Sequence, residues 1–244
     1  MTNKTILVTG ASRGIGRSIA LLFASKGWHV FLNCRNSIND LKHTARLIEE
    51  TTNGTYTLVP GDVGNPDDVR AMFQKIYEEC SALDVLVNNA GVAHIGLLMD
   101  MSDSEWDKVL SCDLSSVFYC CREAVPKMVG RQQGRIVNIS SMWGSVGASC
   151  ECAYSAAKSG IHGLTKALAK ELAPSKIPVN AIACGVIDTV MNSQLNEEER
   201  AQLEEEIPAG RFADPDEVAS LVWQLCQSPV YMTGQILGID GGYI

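Results

Sequence analysis

The stretch that decides the fold is "TILVTGASRGIG", Thr5 to Gly16. Its first four residues are aliphatic or β-branched and read as a buried strand. Glycines follow at positions 10, 14 and 16. A strand, a tight turn and a helix beginning near Gly14 make an anion site, because free helix N-terminal N–H groups and the helix dipole both favour negative charge. Glycines let a pyrophosphate approach such a backbone closely. The spacing is G-x-x-x-G-x-G rather than the general G-x-G-x-x-G. Taken alone, it also fits an ordinary strand-to-helix turn.

The rest of the chain repeats the same unit. Further strands are predicted at "HVFLN", "TYTLVP", "DVLVNN", "GRIVNIS", "PVNAIA" and "GQILGI". Amphipathic helical patterns lie at 15–26, 38–53, 66–80, 103–129, 153–172 and 214–227. Strands that alternate with helices imply βαβ units with right-handed crossovers. The expected fold is α/β: one domain with a parallel sheet of the seven strands. Segment 187–212 reads as a helical, mobile insertion after the sixth strand, placed to serve as a substrate lid.

The 244 residues carry a formal charge of −8 and no basic cluster stands out, so nucleic acid is not an expected partner. The N-terminus lacks the apolar stretch of a signal peptide, and no run reaches membrane-spanning length. The nine cysteines show no CxxC pair and no zinc spacing, so no metal site is expected. They read as reduced thiols packed as small hydrophobes in a cytoplasmic protein.

Two features bear on the cofactor. NAD-binding folds usually place an acid at the end of the second strand, on the ribose hydroxyl. Here "VFLNCRN" offers Cys34 and then Arg35, and Arg13 lies in the glycine loop. Two guanidiniums suit a 2′-phosphate, so NADP(H) is expected over NAD(H); the alternative is a pair of ordinary surface arginines. Asp62 after the third strand suits an adenine amine. "NNAG", Asn88 to Gly91, ends the fourth, and Gly91 would admit the cofactor closely.

The candidate chemistry lies in strand five and the helix after it. Ser141 ends "NISS", and Tyr154 and Lys158 follow at helical i and i+4 spacing. A lysine ammonium one turn away lowers a phenol's pKa from about 10, which makes it a usable acid. Ser141 could hold a carbonyl oxygen by hydrogen bond. Together they would polarise a ketone and protonate the alkoxide formed by hydride transfer.

With these residues in order, the chain resembles the classical short-chain dehydrogenases/reductases over essentially its whole length. The matching elements are Thr9–Gly16, Asp62–Val63, Asn88–Gly91, Ser141 and Tyr154–Lys158. The resemblance implies Ser141, Tyr154 and Lys158 as catalytic residues. It also implies a single Rossmann domain over 1–244, a doubly wound seven-stranded parallel sheet with helices on both faces, and a homotetramer with helices 103–129 and 153–172 packed across a two-fold axis. The cofactor residues expected are Gly10, Ser12, Arg13, Gly14, Ile15, Gly16, Cys34, Arg35, Asp62, Val63, Asn89, Ala90, Gly91, Tyr154, Lys158, Gly185, Ile187 and Thr189. The last of these matches a family contact to the nicotinamide carboxamide.

Two departures stand out. The family's fourth catalytic residue is an asparagine, but "SCDLSSVF" has Asp113 there. In the family that residue supports a relay water largely through its backbone carbonyl, which Asp can keep in place. Its extra charge would raise the lysine pKa. The family's "PG" after strand six is Cys184-Gly185 here, and the thiol is read as packing.

The general resemblance is to 3-oxoacyl-(acyl carrier protein) reductases. A closer one, in "SSMWGSVGASCE" and "KALAKELAPS", is to the bacterial reductases of 5-aminopentanone-modified lysine on elongation factor P. Carrier-protein enzymes usually present arginines for docking. Two such positions are Gln132 and Ser175 here, while Lys127, Arg131 and Lys176 remain nearby. Glu151 and Trp143 are the candidate substrate contacts. Glu151 would favour a substrate amine, but equally fits an exposed loop. A non-catalytic NADP-binding scaffold or sensor, marked by Asp113, is the alternative of another class.

Overall fold

In the computed structural model of the chain, the described residues are 4–193 and 195–244. Seven strands form one parallel sheet in the order β3-β2-β1-β4-β5-β6-β7. They are β1 (Thr5–Val8), β2 (His29–Leu32), β3 (Thr55–Leu58), β4 (Val85–Asn88), β5 (Arg135–Ser141), β6 (Val179–Cys184) and β7 (Ile236–Ile239). Strand order reverses between β1 and β4, where the two halves of a doubly wound sheet open a crevice at the strands' carboxyl ends. β1, β4 and β6 are buried throughout, as their continuous aliphatic runs require in a sheet covered on both faces.

The helices are α1 (Gly14–Ser25), α2 (Ile38–Thr51), α3 (Pro66–Glu79), α4 (Asp103–Leu110), α5 (Ser116–Arg131), α6 (Trp143–Val146), α7 (Cys152–Leu172), α8 (Glu197–Glu206) and α9 (Pro215–Gln227). One layer packs α1, α2 and α9 on the sheet, the other α3, α5 and α7. The first layer is pinned by edge-on contacts among Phe23, Trp28 and Trp223, with centroids 5.1–6.1 Å apart.

One predicted element is corrected. The long helix over 103–129 is interrupted by a π turn, Ser111–Ser115, between α4 and α5. The apolar pattern persists through the turn, so periodicity does not expose it. Its backbone turns Asp113 into the interior, where it is 0% exposed. The insertion after β6 carries α8, which has no buried residue. Arg200 ties it down, donating to both Asp188 oxygens at 2.9 and 3.0 Å and lying over the Phe212 ring.

Candidate active site

The glycine loop is built as its sequence suggests. Gly10 and Gly14 sit at φ of +67° and +52°, a region that disfavours side chains. A Cβ on Gly16 would stand 2.3 Å from the Gly10 carbonyl oxygen, so α1 can begin this close to β1 only with glycine there. Three further groups hold the loop. Asn89 Nδ2 donates to the carbonyls of Thr9 and Gly10 at 2.9 and 3.2 Å. Thr9 Oγ1 accepts from the amides of Asn89 and Ala90. Thr44 Oγ1 on α2 donates to the Ala11 carbonyl and accepts from Arg17 Nε at 3.0 Å. Asn89 thus braces the loop through its side chain. Arg17 and Thr44 were missed in the sequence, where each reads as an ordinary helix residue.

The loop opens onto a cleft of about 790 Å³, enough for a dinucleotide and a substrate group. Every residue singled out above as a cofactor, catalytic or substrate contact lines it. The positive-φ turn at Gly10 and Gly14 and the N-terminus of α1, which no side chain caps, fit a pyrophosphate. The ribose end differs in detail from expectation. Arg35 Nη1 pairs with Asp62 Oδ2 at 3.4 Å, and Asp62 Oδ1 accepts from the Gly64 amide. Far apart in the sequence, the two residues stand together, both partly exposed. Arg13 is exposed at the N-cap of α1.

At the other end of the cleft, β5 delivers Ser141 and α7 delivers Tyr154 and Lys158. Gly144 allows the short α6 to lie on α7, since a Cβ there would meet the Lys158 carbonyl carbon at 2.7 Å. Lys158 Nζ lies 5.2 Å from the Tyr154 ring centroid and 3.4 Å from the Ile139 carbonyl. Its main partner is Asp113, whose Oδ2 is 3.2 Å away. The contact is ionic, and Oδ2 has no well-directed hydrogen bond. Asp113 Oδ1 accepts from the Val92 amide at 2.8 Å. Gly91 makes room for this pair: a Cβ there would sit 2.8 Å from Asp113 Oδ2 and 3.3 Å from Lys158 Nζ.

The electrostatics refine the expected acid. Burial pushes the Tyr154 phenol above its ordinary value, against the pull of Lys158 and Ser141, while Asp113 adds to the rise. The expectation of a net lowering by lysine is corrected for the cleft as it stands: desolvation outweighs a cation that already has an anionic partner. Burial would lower Lys158, but the Asp113 carboxylate beside it holds the ammonium above its usual range. Burial also raises the thiols of Cys112 and Cys184 to about 12, so neither is a thiolate near neutral pH.

Near Tyr154 the cleft wall also includes Trp143, Glu151 and residues of the segment after β6, among them Met191, Leu195 and Leu203. Trp143 meets Tyr243 edge-on, with centroids 5.9 Å apart. Glu151, just before α7, is half-buried, and burial pushes its carboxyl up.

The model for short chain dehydrogenases matches residues 4–200 of the chain. The chain belongs to the short-chain dehydrogenase family. As a member, it is an oxidoreductase that interconverts CH–OH and C=O with a nicotinamide cofactor, and it is similar to 3-oxoacyl-acyl-carrier-protein reductases. The reductase FabG of Staphylococcus aureus is 40% identical over 98% of this chain and 97% of its own. That of Vibrio cholerae is 37% identical over 99% and 98%. The solved structure of YwfH, an NADPH-dependent reductase of bacilysin biosynthesis, superposes with a TM-score of 0.93 at 26% identity, covering 100% of this chain and 99% of that one. Among the described residues of this short-chain dehydrogenase, no helix is long and apolar enough to cross a membrane.

Proposed function

We propose that the chain is an NADPH-dependent ketoreductase in which Tyr154 is the general acid. The observation that carries this reading is the convergence of Ser141, Tyr154 and Lys158 in one cleft with the Gly10–Gly16 loop. When bound, the cofactor supplies a hydride. The chain's own groups do the rest. Loop amides and the α1 N-terminus bind the pyrophosphate. Arg13 and Arg35 bind the 2′-phosphate, with Cys34 presenting no acid to repel it. Ser141 donates to the substrate carbonyl oxygen, and Tyr154 Oη delivers the proton to it. Lys158 lies below the phenol and stabilises the phenolate left behind.

The substrate proposed is the 5-aminopentanone-modified lysine of elongation factor P. Glu151 supports it: a half-buried carboxylate on the cleft wall, with no cation beside it among the described residues, is stabilised by a substrate ammonium. A second reading is 3-oxoacyl-acyl-carrier-protein reduction, favoured by the names of relatives up to 40% identical. We include in the proposal residues 187–212 as a substrate lid, supported by Leu195 and Leu203 in the cleft wall. It also includes a cytoplasmic homotetramer, supported by Phe118 on α5, which is 47% exposed, and the exposed Ile95, Leu97, Leu98 and Met99.

The test is NADPH consumption with aminopentanone-modified elongation factor against a 3-oxoacyl thioester, for the wild type and Glu151→Gln. A preference for the amine substrate that Glu151→Gln reduces about tenfold or more supports the reading. A preference for the thioester, unaffected by Glu151→Gln, replaces it with the second.

A further inference from the structure

The mechanism above leaves one buried charge unused. Asp113 is 0% exposed, its Oδ1 is fixed by the Val92 amide at 2.8 Å, and its Oδ2 stands 3.2 Å from Lys158 Nζ without a directed hydrogen bond. A carboxylate costs several kcal/mol to bury, so its place beside the lysine calls for a consequence. We infer that Asp113 is a positioning residue that sets the pH window of the reaction: by neutralising Lys158 it keeps the Tyr154 phenol protonated, so that ketone reduction persists into alkaline solution and alcohol oxidation starts only at higher pH. This rests on Tyr154 being the proton donor.

The physical argument is one of field. A lone ammonium 5.2 Å from the phenol ring favours the phenolate strongly in a dry site. A carboxylate in contact with that ammonium cancels most of the field beyond the pair. The other groups facing the phenol do not replace it. Ser141 from β5 is neutral, and the Cys184 thiol from β6 and the Cys112 thiol beside the pair are both raised to about 12. Among the described residues that bear on Tyr154, the charge pair is therefore Lys158 with Asp113, whose carboxyl burial pushes up against the pull of Lys158 and the Val92 amide.

The chemistry turns on that proton. In reduction, hydride from NADPH forms the new C–H bond, and the Tyr154 O–H breaks as its proton passes to the carbonyl oxygen. NADPH is oxidised, the ketone is reduced, and the phenolate regains a proton from solvent. In oxidation the alcohol C–H hydride would go to NADP+ and the phenolate must take the O–H proton, so the same midpoint that ends reduction begins oxidation.

The test follows tyrosinate absorbance of the cofactor-free protein with pH. The Tyr154 signal is the wild type minus Tyr154→Phe, and the subtraction is repeated in the Asp113→Asn background. The midpoint is expected to fall by about one pH unit or more with Asp113→Asn, tenfold or more in acidity. The alkaline limb of kcat/KM for ketone reduction, with NADPH saturating, is expected to fall with it. A midpoint that stays or rises overturns the inference, as does a moved kinetic limb over an unmoved midpoint. Should Asp113→Asn not fold, Asp113→Ser carries the same readouts. Near wild-type turnover in Tyr154→Phe would overturn the proton-donor assignment itself. An unmoved midpoint with Tyr154→Phe inactive overturns the Asp113 inference alone.

Discussion

Replacing Gly91 by alanine tests whether the chemistry depends on the fit between the β4 loop and the buried ion pair. The added methyl would lie 2.8 Å from Asp113 Oδ2 and 3.3 Å from Lys158 Nζ. Contacts to carbon settle near 3.5 Å, so the shortfall against the carboxylate is roughly 0.7 Å. Neither neighbour can give way freely. Asp113 is held through its other oxygen by Val92, the residue after Gly91, and both charges are buried. Overpacking of this kind costs about 1–3 kcal/mol, which in a chain of this size lowers Tm by roughly 2–12 °C. If about 1.4 kcal/mol of the strain is expressed in the transition state, kcat falls tenfold. Thermal melts and steady-state NADPH oxidation measure the two effects. In an Asp113→Ala background the methyl has room, so both losses should shrink. Wild-type Tm and kcat in Gly91→Ala, or equal losses in the two backgrounds, would refute the reasoning.

Three further outcomes are expected. Arg35→Asp should shift preference from NADPH toward NADH by tenfold or more, about 1.4 kcal/mol; equal binding of the two cofactors by the wild type would remove the basis for that reading. Tyr154→Phe should cost about a hundredfold or more in kcat while cofactor binding, followed by fluorescence, is kept; turnover close to wild type would point to another acid. His162 is buried against Ser140, and burial, with Lys166 and Lys158 nearby, depresses its pKa below 6.5. The unfolded chain therefore takes up that proton first, so this contribution to stability is complete above about pH 6.5 and is lost as pH falls below it. Melts at about pH 7.5 and 5.5 should show a larger drop for the wild type than for His162→Gln, and equal drops would exclude the contribution.

Much of this architecture is written locally in the chain. The strands are short runs rich in aliphatic and β-branched residues, and for β1, β4 and β6 burial on both faces follows from that composition. The glycine loop and the i, i+4 pair of Tyr154 and Lys158 are local as well, so their placement could be read before any packing was known. What escaped reading depends on distant neighbours. α6 is a four-residue helix and carries too little periodicity to register. The Arg35–Asp62 pair joins two loops, and the brace of Arg17 on Thr44 joins two helices. In the sequence Gly91 reads as room for a cofactor, while its missing side chain also makes room for Asp113, 22 positions later. The direction of the Tyr154 shift depends on how deeply the phenol is buried, which the pattern of a single helix does not contain.

The π turn at Ser111–Ser115 has a consequence for how this enzyme could be altered. A π turn holds one residue more than a regular helical path needs. Removing one residue from it would let α4 run straight into α5 as ordinary helix, with every hydrogen bond of the new path satisfied. The flanking helices would keep their facing, and the cost would fall on the turn itself: its remaining residues would be re-spaced along a regular helix, and the side chain at the Asp113 position would lose its present direction into the cleft. The carboxylate is thus held in place by chain length as much as by its own identity. A library that varies residue type at this point would sample the chemistry of that position. One that varies length would sample whether the position faces the chemistry at all.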